Sequence, residues 1–162
     1  MLTKLIAQTH RSLIKNKLRI AVAESCTGGL LSAALTSLSG SSQYFISGIV
    51  TYHNSAKTKL LNIPQQLIAR HGAVSGIVAQ KMAQNAAKLA KTDLGVGITG
   101  IAGPTGGTKA KPVGTVFIAV AAKNKTICKR FNFKKSRSSI RKQAVIAALK
   151  IIKILAAGPV GC

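Results

Sequence analysis

A chain of 162 residues, 47% of them hydrophobic and none of them tryptophan, is long enough for one domain whose core is built from Ala, Ile, Leu and Val. Its 24 Lys and Arg face only Glu24 and Asp93, a net charge of +22. Two carboxylates cannot furnish a magnesium site, and Cys26, Cys128 and Cys162 lack the CxxC spacing of structural zinc, so neither metal nor cofactor is expected.

The elements follow in chain order. Residues 1–19 carry Leu2, Leu5, Ile6, Leu13 and Ile14 among cations and read as a first helix rather than a targeting segment. Residues 19–23 (RIAVA) form a short apolar run, hence a buried strand, and Thr27-Gly28-Gly29 opens a helix running to about residue 40. Residues 45–52 (FISGIVTY) are the next strand, and 54–61 a short helix with Asn54 as its expected N-cap. After Pro64 come a brief helix and a long one over 76–91, then a third strand over 94–99. A glycine-rich loop spans 100–112, the runs 113–121 and 126–133 pair around Lys123-Asn124, and a last helix covers 138–156. This alternation predicts an α/β fold, a three-layer α/β/α sandwich with a mixed, mostly parallel sheet, occupying residues 1–162 as a single domain. Its site is expected at the C-terminal edge of the parallel strands.

Ser25 lies just beyond the first strand, ahead of a helix N-terminus where backbone N–H groups face outward. That setting suits an acyl-transfer nucleophile, with the amides of residues 26–29 able to hold an oxyanion at about 3 kcal/mol per well-placed donor. With only Glu24 and Asp93 to orient His10, His53 or His71, a histidine triad has weak support, although His53 stays open as a base. Lys57, which the second strand brings to the same sheet edge, is the better candidate, provided burial or neighbouring cations depress its pKa; Lys59 is its competitor. Tyr52 is either a proton relay and substrate contact or an aromatic packed at the sheet edge. The segment GIAGPTGG of residues 100–107 reaches that edge too, as a backbone cradle for phosphate or a planar ring, but it lacks the G-x-G-x-x-G of a dinucleotide site. Arg137 and Arg141, near the start of the last helix, are either phosphate partners or surface cations. Cys26 is a competing nucleophile, more simply read as packed.

The charge admits a nucleic-acid partner, but the cations run from Lys4 to Lys153 with no aromatic-interleaved platform, so nucleic acid is disfavoured. An odd number of cysteines without a disulfide pattern fits a reducing compartment, hence a cytoplasmic protein. Lys150 and Lys153 interrupt the most apolar segment, so no membrane span is expected.

The segments AESCTGG, GSSQYF, GIVTYHNSAK, HGAVS, GITGIAGPTGG and KPVGTVFIA, in this order between Glu24 and Ala148, closely resemble the C-terminal domain of the competence/damage-inducible CinA proteins, which include stand-alone nicotinamide-mononucleotide deamidases. The resemblance implies hydrolysis of nicotinamide mononucleotide to nicotinate mononucleotide and ammonia, without metal or cofactor, in pyridine-nucleotide recycling. It places a nucleophile on Ser25, a base on Lys57 and an assisting hydroxyl on Tyr52. It also puts Thr27, Gly28 and Gly29 around the oxyanion, and Thr105, Gly106, Gly107 and Arg141 at the nucleotide. The implied partner is a small-molecule nucleotide; a homodimer is open. The chain departs from the family at Gly76, Lys109, Ala110 and Lys135-Ser136, where acidic residues or glycine are usual, and at His53, where serine is common. Longer members carry an N-terminal nucleotide-binding domain with no counterpart in this sequence. A basic binding module that has kept the fold but not the chemistry is the alternative.

Overall fold

The first helix, α1 (Leu2–Lys15), buries Leu5, Thr9 and Leu13, one residue per turn. It leads into β1 (Ile20–Glu24), whose five residues are all buried, as befits a central parallel strand covered on both faces. There follow α2 (Leu30–Leu35), a 3₁₀ turn (Ser41–Gln43), β2 (Phe45–Val50), α3 (Asn54–Leu61), α4 (Gln65–His71), α5 (Gly76–Ala90), β3 (Leu94–Gly100), β4 (Thr115–Ala122), β5 (Lys125–Asn132) and α6 (Arg137–Ala156). The computed structural model describes residues 1–157; Cys162 lies outside the described residues.

The sheet runs β2-β1-β3-β4-β5, with β1 parallel to both β2 and β3, and β4 and β5 antiparallel beyond them. Right-handed crossovers decide the layers. The chain moves one way from β1 to β2 and the opposite way from β2 to β3, so α2 lies on one face with α1 and α6, and α3 to α5 lie on the other. The expected three-layer α/β/α sandwich is the observed one. Its sheet is parallel in the β2-β1-β3 half and closed by the hairpin expected around Lys123-Asn124.

The two faces differ in bulk. Towards α1 and α6 the strands send Ile20, Val22, Val96, Ile98, Ile118 and Val120. Towards α5 they send Ala21, Ala23, Ala119 and Ala121, with Gly95 and Gly97 opposite Ala83 and Ala79 of the helix. The small side lets α5 lie almost on the backbone of β3, and a methyl at Gly95 or Gly97 would collide with the carbonyl oxygens of Ala83 or Ala79.

Two local expectations are corrected. The helix expected to run to about residue 40 stops at Leu35, because Thr36 Oγ1 bonds the Ser32 carbonyl at 2.8 Å and Ser37 Oγ that of Ala34 at 2.8 Å, satisfying the last carbonyls with side chains. The N-cap of α3 is His53 rather than Asn54: the Ser55 amide donates to its Nδ1 at 3.2 Å. None of the described helices is long and apolar enough to cross a membrane.

Gly97→Ala is expected to lower stability by about 3 kcal/mol through overpacking against α5. In an open strand the same change would be neutral or stabilising. Urea unfolding decides: an unchanged midpoint would mean that α5 is free to move away from β3.

Candidate active site

The site forms where β1 ends between β2 and β3, the crevice at which the order of strands reverses. Hydrogen bonds carry the ladders one step beyond the strands. Ser25 N–H donates to Ile98 O at 3.0 Å and Thr51 N–H to Glu24 O at 2.8 Å, so Ser25 is pinned from both sides. Gly28 and Gly29, at φ +56° and +94°, turn the chain into α2 through left-handed backbone that glycine adopts without strain.

Glu24 anchors this turn. Its wholly buried carboxylate accepts the amides of Gly29, Leu31 and Ser32 at 3.1, 3.0 and 2.8 Å and the Ser32 hydroxyl at 2.7 Å. Four donors offset the cost of burying the carboxylate and bind the start of α2 to the end of β1. This role was not legible in the sequence, where Glu24 figured only as an orienter for histidine. Asp93 is occupied as well, accepting the Arg19 amide at 2.7 Å.

Lys57 projects inward from α3 and is 1% exposed. Its Nζ lies 3.1 Å from Ser25 Oγ and donates to Thr51 O at 2.9 Å. Burial pushes its pKa below the ordinary lysine value, against a smaller opposing influence of Cys26. Among the described residues no carboxylate pairs with it. Lys59, on the same helix, is exposed and lines a neighbouring hollow of about 560 Å³ with His53. His10 bonds Tyr44 Oη at 3.2 Å, and His71 belongs to α4, so among the described residues no imidazole contacts Ser25. The Cys26 thiol, 5% exposed, is pushed up to about 12 by burial and stays protonated at neutral pH.

A groove of about 290 Å³ opens over the pair, lined by Ser25, Tyr52, Lys57, Thr105, Gly106 and Arg137 among others. Tyr52 is 56% exposed at its rim. The remaining expected contacts lie elsewhere. Gly107 packs against Val113, and the Thr27 side chain is buried with its hydroxyl unpartnered. Arg141 donates to Thr27 O at 2.7 Å beside Gly28, supporting the turn without lining the groove. Of the amides expected at an oxyanion, that of Gly28 is spent on Ser25 O, that of Gly29 on Glu24 and that of Cys26 on its own thiol; the Thr27 N–H has no partner among the described residues. Arg137, left open as a phosphate partner or surface cation, is the arginine that lines the groove. Its position follows from a turn whose geometry composition does not reveal. Among the described residues no cluster of His, Cys, Asp or Glu forms a metal site.

These features define a three-layer α/β/α domain with a serine and a buried lysine paired at its topological switch point. The model of the CinA C-terminal domain matches residues 2–155, and the chain belongs to that family. It is 50% identical over 148 residues to a CinA-like protein of Syntrophus aciditrophicus, an alignment covering 90% of this chain and 35% of that one. The chain thus spans about a third of the length of the curated relatives it matches. Among solved structures, the competence damage-inducible protein A of Klebsiella pneumoniae is 34% identical with a TM-score of 0.93, covering 98% of both chains. A competence/damage inducible protein of Agrobacterium tumefaciens is 36% identical with a TM-score of 0.92, over 95% of this chain and 94% of that one.

Because burial lowers the pKa of Lys57, the unfolded chain binds a proton that the folded chain lacks between that lowered value and the ordinary lysine value of 10.5. The penalty for burying the ammonium is therefore full below the window and lifts as pH rises through it. Native protein should gain stability relative to Lys57→Met as pH rises towards 10.5. Parallel urea midpoints of the two proteins across that range would refute the shift.

Proposed function

We propose that this protein is an amidohydrolase that converts nicotinamide mononucleotide to nicotinate mononucleotide and ammonia. The observation that carries the chemistry is the 3.1 Å approach of Ser25 Oγ to the buried Lys57 amine, whose lowered pKa favours the neutral, basic form. In that form one N–H is held by Thr51 O and the lone pair can accept the Ser25 proton. Ser25 Oγ then attacks the carboxamide carbon, and the unpartnered Thr27 amide is left to hold the developing oxyanion. The protonated Lys57 passes its proton to the departing ammonia, leaving a nicotinoyl ester on Ser25. A water molecule, deprotonated by Lys57, cleaves that ester and restores the serine. Tyr52, at the rim, hydrogen-bonds the leaving group in this reading. The choice of substrate rests on the motifs shared with family members that include nicotinamide-mononucleotide deamidases.

A second reading has its own observation. Glu24 is buried and Asp93 is bonded to a backbone amide, so the surface cations stand almost unopposed, and a catalytically silent domain would bind polyanions through them. Such binding would weaken steeply with salt and survive Ser25→Ala.

Ser25→Ala and Lys57→Met are each expected to lower ammonia release by about 10³-fold or more with the fold retained. In the native protein kcat/KM should rise with pH as Lys57 loses its proton, and a flat profile between pH 6 and 9 would remove lysine as the base. Full activity in either variant would refute the reading.

A further inference from the structure

Arg137 is the first residue of α6 and is exposed, so core packing does not dictate where its side chain goes. Its guanidinium nevertheless makes two short bonds across the groove. Nη1 donates to Gly103 O at 2.7 Å and Nη2 to Tyr52 Oη at 2.6 Å. The two acceptors belong to separate segments, one after β3 and one after β2, and a planar two-pronged donor is the side chain that can join them. The turn that launches Arg137 is itself strained. Lys135 sits at φ +84°, left-handed backbone that a residue with a side chain adopts at a cost. Ser136 then caps α6, its Oγ accepting the Ser139 amide at 3.3 Å.

Tyr52 has little else to hold it. Its ring is mostly exposed at the end of an edge strand, free to turn about two torsions. By accepting from Arg137, the phenol oxygen leaves its own O–H as a donor for a group in the groove. We propose that Arg137 is a positioning residue: its fork fixes the Tyr52 hydroxyl as a hydrogen-bond donor above the Ser25–Lys57 pair and straps the 100–107 loop to the same point. The catalytic consequence rests on the amidohydrolase reading. The bridge itself does not.

Two measurements separate the questions. The chain has two tyrosines, and Tyr44 is 1% exposed in the core, so a sample with ¹³C-labelled tyrosine rings gives one signal for the bridge and one for the fold. Arg137→Ala should shift the Tyr52 resonances and leave those of Tyr44 in place; an unmoved Tyr52 overturns the proposal whatever the activity. In the ammonia assay, Arg137→Ala and Tyr52→Phe should each lower kcat by roughly 10- to 100-fold with little change in KM, and the double variant should be no worse than Tyr52→Phe alone. The same pattern should hold with the phosphate-free riboside as substrate. Additive losses, or a KM defect confined to the mononucleotide, would mean that the guanidinium holds the phosphate instead of Tyr52. Arg137→Lys keeps the charge without the fork and should stay near the alanine level; full recovery would also overturn the bridge. If the native protein releases no ammonia from either substrate, the amidohydrolase reading fails while the tyrosine spectrum still decides the bridge.

Discussion

The site is organised around a buried carboxylate that does not itself line the groove. Glu24 gathers three amides and a hydroxyl from the start of α2, and in doing so fixes the turn on which Ser25 stands. Its negative charge is engaged by those donors, and among the described residues it makes no ion pair with Lys57. The amine is therefore buried with a serine hydroxyl and one carbonyl as its hydrogen-bond partners, the setting that depresses a lysine pKa. An acid nearer to Lys57 would have the opposite effect and hold it protonated. Scarcity of carboxylates is thus compatible with a lowered lysine pKa at this position, and the two acidic side chains of the sequence are both engaged with backbone amides.

The unequal faces of the sheet serve the same end. Glycine and alanine on the α5 side draw that helix down onto β1 and β3, and the HGAVS segment before it is tied to the sheet by Thr99 Oγ1, which donates to Ala73 O at 2.8 Å. Ala73 and Val74 thereby become a wall of the groove. Bulk on the opposite face, packed by the long α6, sets how far the start of that helix stands from the sheet and so where Arg137 and Arg141 begin. Close packing on both sides makes the groove a rigid product of the core rather than of its loops alone.

Much of this fold was legible in the sequence because periodicity and punctuation are local. The apolar runs, the Lys123-Asn124 turn and the glycine-rich loop each announce themselves within a few residues, and the order of elements then determines the layers. What was not legible is made of contacts between distant residues or between a side chain and a backbone group. The halt of α2 at Leu35 depends on hydroxyls bonding carbonyls behind them. His53 displaces Asn54 as a cap because a ring nitrogen serves as well as an amide oxygen. The Gly28 and Gly29 amides looked free in a glycine-rich turn, but their partners are Ser25 and Glu24. Arg137 and Tyr52 are 85 residues apart in the chain, and no local pattern links them.

The cysteine beside Ser25 has a consequence of a different kind. Oxidants and electrophiles attack thiolates, and a buried thiol held up to about 12 offers almost none at physiological pH. A site built on a hydroxyl and an amine has no sulfur to lose, and the adjoining Cys26 thiol is kept in its least reactive form. The arrangement isolates the Ser25–Lys57 pair from the redox state of its surroundings, so that changes in thiol and peroxide levels need not register at the groove.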